Sequence, residues 1–318
     1  MKLIVQIPCL NEEQTLPATI SAIPREIPGI DKVEILVIDD GSKDRTAETA
    51  LELGVDHVLI HRRNMGLARS FRTGLDRCLA LGADIIVNTD ADNQYNGGDI
   101  AALVQPILAG IADVVVGDRQ THNIEHFSPA KKLLQRFGSY VVRKFSGVNV
   151  PDAVSGFRAI SRDAAFRLNI VSPFSYTLEM LIQVGAKGVA VASVPVRTNP
   201  KTRDSRLFSS TFHFIERSAS TLVRMYTMYR PLKVFTLIGL IVAIIGAIPI
   251  ARFLYFYFFV NGTGKIQSLI IGSALLTIGI LTFLLGLVAD LLSHNRQLIE
   301  MTLEKVRRLE QSRPPADE

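Results

Sequence analysis

Through the first half of the chain, short apolar runs alternate with longer mixed stretches. Leu3 to Ile7, Glu34 to Ile38, His57 to Ile60, Asp84 to Thr89 and Asp113 to Val116 are Val- and Ile-rich and short enough to be strands. Thr15 to Ile23 and Thr46 to Leu53 carry helical spacing between them. Strand and helix in alternation predict an α/β domain with a mostly parallel sheet flanked by helices. In open sheets of this kind ligands gather beyond the carboxyl ends of the strands, so the residues that follow each run are where chemistry is expected.

The pattern changes toward the C-terminus. Val234 to Val260 and Ile266 to Ala289 are almost uninterrupted apolar stretches, each long enough to cross about 30 Å of hydrocarbon at roughly 1.5 Å per residue. They predict two transmembrane helices joined by a short turn at Asn261 to Gly264, that is, a hairpin. Pro249 and Arg252 leave a second reading of the first stretch, a shorter helix whose arginine snorkels to the interface. Arg217, Arg224, Arg230 and Lys233 precede the hairpin and Arg296, Lys305, Arg307 and Arg308 follow it, against Lys265 in the turn. The positive-inside rule then puts both long ends in the cytoplasm. The first strand opens the chain without a charged leader, so no signal peptide is expected. The expected division is an α/β domain at 1–207, amphipathic juxtamembrane helices at 208–232, the hairpin at 233–292 and a terminal helix and tail at 293–318. The segment Leu291 to Leu309, with balanced charge and spaced leucines, suits self-association into a homo-oligomer or a place on the membrane surface.

Composition narrows this further. With 318 residues, 48% of them hydrophobic and 20% charged, the chain is neither a disordered segment nor a disulfide-stapled miniprotein. Its two cysteines, Cys9 and Cys78, fit a reducing compartment rather than a disulfide framework. The formal charge of +5 is a small excess whose meaning depends on where it falls.

The strand ends collect acidic and amide groups. Asn11, Glu12 and Glu13 follow the first run, Asp39, Asp40, Gly41 and Ser42 the second, and Asp90, Ala91, Asp92, Asn93 and Gln94 the fourth. Singly, Asn11 is as readily a helix cap and Asp39 to Ser42 a glycine turn. Together, carboxylates on one rim repel unless a cation or a donor-rich ligand lies between them. The pair Asp90 and Asp92 has the spacing to reach one hard divalent ion, with the Gln94 amide near. An ion held by so few protein ligands keeps positions open for phosphate oxygens. An Asx-turn would account for one of these aspartates but not both.

These segments, in order, resemble the family 2 glycosyltransferases of GT-A fold, and within them the polyprenyl-phosphate glycosyltransferases. This group includes dolichyl-phosphate mannose synthases and the bacterial enzymes that glucosylate undecaprenyl phosphate. The resemblance runs through Ile7 to Glu13, Val37 to Ser42, Asn64-Met65-Gly66, Asp90 to Gln94, Gly117-Asp118-Arg119 and Asp152 to Arg158, then into the hairpin. Asn93 departs from it, standing where relatives often have an apolar residue. The resemblance implies that Pro8, Leu10, Asn11, Glu12, Asp39, Asp40, Asp90 and Ala91 surround a nucleotide, with Asp40 accepting a hydrogen bond from the base. It implies that Asp90, Asp92 and Gln94 hold Mg2+ or Mn2+ against the diphosphate, and that Arg119 faces an acceptor phosphate. Asp152, Arg158, Arg119 and Arg203 form the implied catalytic set. Asp152 either orients sugar or acceptor, or pairs with Arg158 as scaffold.

Two basic clusters bear on the acceptor. Lys131, Lys132, Arg136, Arg143 and Lys144 are interleaved with apolar residues, and no acidic residue occurs from Phe127 to Val150. This suits an anionic membrane surface, with Lys131, Lys132 and Arg136 beside the lipid phosphate; an ordinary solvated basic face is the plainer reading. Arg197, Lys201, Arg203 and Arg206 lie before the amphipathic run Phe208 to Tyr229, in a loop suited either to closing over a diphosphate or to anchoring on headgroups. No recognised module accompanies the charge, so nucleic acid is not an expected partner. The six histidines show no metal-ligand spacing.

The expected partners are a nucleotide sugar, most simply UDP-glucose, with GDP-mannose as the alternative donor, and polyprenyl phosphate, at the cytoplasmic leaflet of a bacterial inner membrane. A processive polysaccharide synthase is disfavoured because its Gln-x-x-Arg-Trp motif needs a tryptophan and the chain has none. A non-catalytic membrane adaptor that binds nucleotide sugar or lipid is the rival of another class.

Overall fold

The structure, a computed structural model, describes residues 1–120, 129–171, 176–200, 211–260 and 266–312, with the backbone alone at 129–137, 211–215, 217–218 and 311–312. The chain forms two compact units, one made of Met1–Val223 together with Leu303–Glu318, the other of Arg224–Thr302.

The first unit is built on a seven-stranded sheet. Its strands are β1 (Lys2–Cys9), β2 (Lys32–Asp39), β3 (His57–Ile60), β4 (Ile85–Asn88), β5 (Val114–Asp118), β6 (Arg158–Ser161) and β7 (Val191–Pro195), in the spatial order β3-β2-β1-β4-β6-β5-β7. The β6 strand runs antiparallel to both its neighbours and every other pairing is parallel. Seven of the eight residues in each of β1 and β2 are buried, which is why these central strands read as unbroken apolar runs rather than as alternation. Helices α1 (Leu16–Ser21), α2 (Thr46–Glu52), α3 (Leu67–Ala80), α4 (Ile100–Leu108), α5 (Pro129–Ser146), α6 (Arg162–Arg167) and α7 (Tyr176–Ala186) complete it. The ends of β1, β2, β4 and β5 share one rim. Because β6 is reversed, with Arg158 opposite Asn88 and Val116, the loop entering β6 arrives at that same rim.

Helix α8 (Thr211–Tyr229) leads into the second unit, which holds all of α9 (Pro231–Phe259) and most of α10 (Ile266–Ser312). Both are long and apolar enough to cross a membrane. At 29 residues α9 is about 43 Å long and runs through Pro249 without ending, so of the two readings of this stretch the longer helix is the one formed. Gly239 and Gly246 of α9, seven residues apart, share a face, as do Gly272, Gly279 and Gly286 of α10. A Cβ on Gly239 would stand 2.7 Å from the Gly279 carbonyl oxygen, and one on Gly246 2.9 Å from that of Gly272. The helices therefore meet backbone to backbone. Many large apolar side chains point the other way; Phe258 and Phe259 are more than 70% exposed.

Beyond Leu303, α10 belongs to the first unit. Arg308 pairs with Asp163 at 2.8 Å and lies 4.7 Å over the Phe166 ring, while Arg307 donates to the Leu168 carbonyl at 3.1 Å. This stretch of the expected tail helix is thus docked on α6 of its own chain.

Candidate active site

The rim is organised by short side chains that tie neighbouring loops together. Asn11, at φ 56°, donates its amide N–H to the Ser42 hydroxyl and accepts from the Lys43 amide, each at 2.8 Å, so the loops after β1 and β2 are sewn to each other. Asp39 accepts from the Ser42 amide at 3.1 Å, closing the glycine turn. Asp40 is buried and accepts three hydrogen bonds, from His61 Nδ1 at 2.8 Å and from the Met65 and Gly66 amides at 2.9 and 2.8 Å. An ionised carboxylate has about four acceptor positions, so Asp40 retains roughly one for a ligand. Buried Glu12 accepts from the Thr15 hydroxyl at 2.6 Å, its own amide donating to Thr46.

Asp90 differs from all of these. Among the described residues its carboxylate makes no hydrogen bond or ion pair, and burial first, then the nearby Asp92 charge, pushes its pKa up to about 7. Asp92 accepts from the Gln94 amide at 3.1 Å, the Asx-turn that sequence offered as the plain reading of one aspartate. Asp90 is the one that reading leaves over. No group of three or more His, Cys, Asp or Glu among the described residues forms a closed metal cage. What the rim does offer is two carboxylates, one of them lacking a partner, and this donor set fits a hard divalent ion that completes its shell with phosphate oxygens.

The loop before β6 lies behind Asp90. Arg158 is fully buried, and its guanidinium donates to the carbonyls of Ser155 at 2.9 Å, Thr177 at 2.9 Å and Ala153 at 2.8 Å; burial lowers its pKa to about 10. A group spent in this way on backbone does not reach a substrate. The expectation of a catalytic Arg158 is therefore corrected to that of a clamp on the loop. The scaffold pairing of Asp152 with Arg158 is corrected as well: Asp152 is held by Arg119, Nε to Oδ2 at 2.6 Å and Nη2 to Oδ1 at 3.0 Å. Burial opposes the Arg119 charge, but Tyr95, Asp152 and Asp90 around it outweigh burial and strengthen its hold on the proton.

Sequence reasoning missed three residues of this site. Asn88, at the end of β4, takes a hydrogen bond from Gln6 at 3.0 Å and donates to the Gly156 carbonyl and the Tyr176 hydroxyl, each at 2.9 Å. The Gly156 amide donates to the Tyr95 hydroxyl at 3.0 Å. Tyr176 comes from α7, 86 residues beyond Asp90 in the chain, and no local pattern announces it. Tyr95 and Asn88 adjoin the acidic motif and were legible only as its flanks.

Pro8 is the last residue but one of β1, before Cys9, and Leu10 and Ala91 lie on the same rim. Lys131, Lys132 and Arg136 fall on α5, but their side chains lie outside the described residues, as does Arg203 altogether. Arg197 is committed to Asp99, with Nη2 to Oδ1 at 2.6 Å. Cys9 and Cys78 are both buried free thiols.

Residues 4–167 match the family model described as glycosyl transferase family 2. The chain is 30% identical over 217 residues to the UDP-N-acetylglucosamine–dolichyl-phosphate N-acetylglucosaminyltransferase of Methanococcus voltae, covering 60% of this chain and 83% of that protein. It is 26% identical over 204 residues to the polyprenol monophosphomannose synthase of Mycolicibacterium smegmatis, covering 61% and 76%. Among solved structures, glucosyl-3-phosphoglycerate synthase from Mycobacterium tuberculosis superposes with a TM-score of 0.54 at 20% identity over 72% of this chain and 78% of that one, a likeness of fold. The rim of acidic strand ends, the reversed sixth strand and these matches agree, and the chain belongs to glycosyl transferase family 2.

Proposed function

We propose that this glycosyltransferase moves a hexose, with inversion, from a nucleotide sugar to polyprenyl phosphate at the cytoplasmic leaflet of a bacterial inner membrane. The observation that carries the reading is the partnerless Asp90 carboxylate beside Asp92 on the rim of a protein that also has two helices fit to cross a bilayer. The relatives named above act, by their names, on dolichyl phosphate and polyprenol, which supports a lipid acceptor. In this reading 1–207 is the catalytic domain, 208–232 the interfacial segment, 233–292 the membrane anchor and 293–318 a cytoplasmic helix and tail.

Asp90, Asp92 and Gln94 would hold Mg2+ or Mn2+. The ion, when bound, offsets charge on the nucleoside diphosphate as it leaves. Pro8, Leu10, Asn11, Glu12, Asp39 and Ala91 line the nucleotide, and the remaining acceptor position of Asp40 receives a donor from the base. A phosphate monoester has a second pKa of about 6, so at neutral pH the acceptor oxygen is already an anion and no general base is required. The protein's task is to bring two anions together. Arg119, oriented by Asp152, together with Lys131, Lys132 and Arg136, holds the lipid phosphate. Arg203 steadies the diphosphate. The acceptor oxygen then forms its bond to the anomeric carbon while the bond to the diphosphate oxygen breaks on the opposite face.

The test is an incubation of the purified protein with labelled nucleotide sugar, divalent cation and short-chain polyprenyl phosphate, reading label in the organic phase. UDP-glucose is the donor proposed first, with GDP-mannose, UDP-galactose and UDP-GlcNAc in the same panel. Organic-phase label with one of these donors supports the reading. No lipid-linked product with any donor favours the adaptor. Asp92→Asn should remove metal-dependent turnover in a folded protein, and undiminished turnover would dismiss the pair as the metal site.

A further inference from the structure

The loop that enters β6 touches Asp90 with bare backbone. A Cβ built on Gly156 would stand 2.9 and 3.0 Å from the two Asp90 carboxylate oxygens and 3.0 Å from the Tyr176 hydroxyl. The φ of Gly156 lies outside the left-handed region, so the backbone turn does not demand glycine there. Space does.

Nor is the loop free to withdraw. The Gly156 amide is tied to Tyr95 at 3.0 Å, and its carbonyl accepts from Asn88 at 2.9 Å and from Tyr176 at 3.4 Å. On either side Arg158 grips the Ala153 and Ser155 carbonyls, and the Phe157 carbonyl accepts from the Gly117 amide at 2.8 Å. Tyr176 is stacked on Phe71 with ring centroids 4.0 Å apart, and Tyr95 on Phe157 at 5.0 Å, so the props are themselves immobilised. The wall facing Asp90 is rigid, and it offers that carboxylate no hydrogen bond.

We propose that Gly156 is a positioning residue for the metal-binding carboxylate: its missing side chain is the space into which Asp90 is fitted, and the locked backbone around it sets the direction of Asp90 toward a divalent cation. This inference rests on the metal reading above. A wall that fixes the carboxylate yet leaves its lone pairs unspent keeps them for an ion, and the geometry is set before the ion arrives.

The experiment is a Mn2+ titration followed by electron paramagnetic resonance, on the full-length protein in detergent with UDP present, alongside a titration of metal-free UDP. Gly156→Ala should weaken Mn2+ binding at least tenfold while metal-free UDP binds within about twofold of the unaltered protein. Tyr176→Phe adds no bulk and removes one prop, and should weaken Mn2+ binding by a few-fold with the same UDP control. Unaltered Mn2+ affinity in Gly156→Ala overturns the inference. So does an equal loss of Mn2+ and metal-free UDP, which marks a general failure of the fold. Should Gly156→Ala fail to fold, unaltered Mn2+ affinity in Tyr176→Phe overturns it instead. Asp90→Asn and Asp92→Asn separate the two levels: if neither weakens Mn2+ binding, the metal reading itself has failed, whereas loss in both with none in Gly156→Ala defeats the positioning role alone.

Discussion

The two units are held together differently, the α/β unit by an apolar core with paired polar groups set into it and the two long helices by close glycine contacts. Inside the α/β unit lie Gln6, Asn88, Asp152, Arg158, Glu179 and Gln183, all at 2% exposure or less, and each is matched by a partner. Glu179, for example, accepts from the Val171 amide with both oxygens and from Gln183. Between α9 and α10 lie glycine backbones, packed also against Phe235, Ile250 and Leu275, while many other leucines, isoleucines and phenylalanines face out. In water, burying a polar group is costly unless it is satisfied, and burying an apolar one is favourable. In lipid, moving an apolar side chain from tails to protein gains little, so close backbone approach does the joining. One unit should therefore be sensitive to lost hydrogen bonds and the other to added volume.

The sharpest way to break that contrast is Arg158→Met, which keeps bulk and removes the donors for three buried carbonyls. At about 1 kcal/mol or more for each orphaned acceptor, a loss of roughly 3 kcal/mol or more is expected in denaturant unfolding of the α/β unit. A change below 1 kcal/mol would show that satisfaction is not what holds the loop. Gly279→Leu is the counterpart in the hairpin. A Cβ there already meets the Gly239 carbonyl at 2.7 Å and Ala243 at 2.9 Å. Overpacking of this kind costs about 1–3 kcal/mol, read as a lower unfolding temperature of the hairpin in detergent with the α/β transition unmoved.

A smaller effect is expected at Glu34, the buried carboxylate at the far end of the sheet. Burial raises its pKa, but hydrogen bonds from Lys2, Lys32 and His57 outweigh that and hold it at about 2. A depressed carboxylate stabilises the fold above its unfolded pKa, near 4.5, and that contribution is lost as pH falls from there toward 2. Glu34→Gln should cost about 1–2 kcal/mol at pH 7 and converge with the unaltered protein near pH 2, measured by unfolding across that range. The smallest effect belongs to Arg308→Ala. Its side chain is 39% exposed, so removing the Asp163 pair should shift stability by less than about 1 kcal/mol.

The difference between the units also explains what sequence could reveal. Four strands are visible because the sheet is apolar on both faces there, and the edge strand β3, at His57–Ile60, because its short run is Val-, Leu- and Ile-rich despite partial burial. The other two are not, for separate reasons. Arg158–Ser161 begins with a charged residue and was read as the end of a motif. Val191–Pro195 is an edge strand of partial burial whose short apolar run is broken by Ser193 and ends in a proline. The two long apolar helices were legible from length and composition alone, but the faces on which α9 and α10 meet depend on glycines whose role appears only once the helices are side by side. At the site, residue types and spacing singled out Asp90 and Asp92. They could not tell that Asp152 turns to Arg119, 33 residues away, or that Arg158 is consumed by carbonyls, one of them on α7 19 residues on, because which partner each group meets is set by the tertiary fold.

The return of α10 to the first unit at Leu303 has a practical consequence. The hairpin is spliced into the α/β body rather than appended to it, for the polypeptide leaves that body at Val223 and rejoins it eighty residues later. A stop codon placed before α9 would discard the clasp of Arg307 and Arg308 along with both apolar helices. A version of the protein without the two apolar helices calls instead for excision of 224–302 and rejoining of the two flanks, so that the clasp is retained.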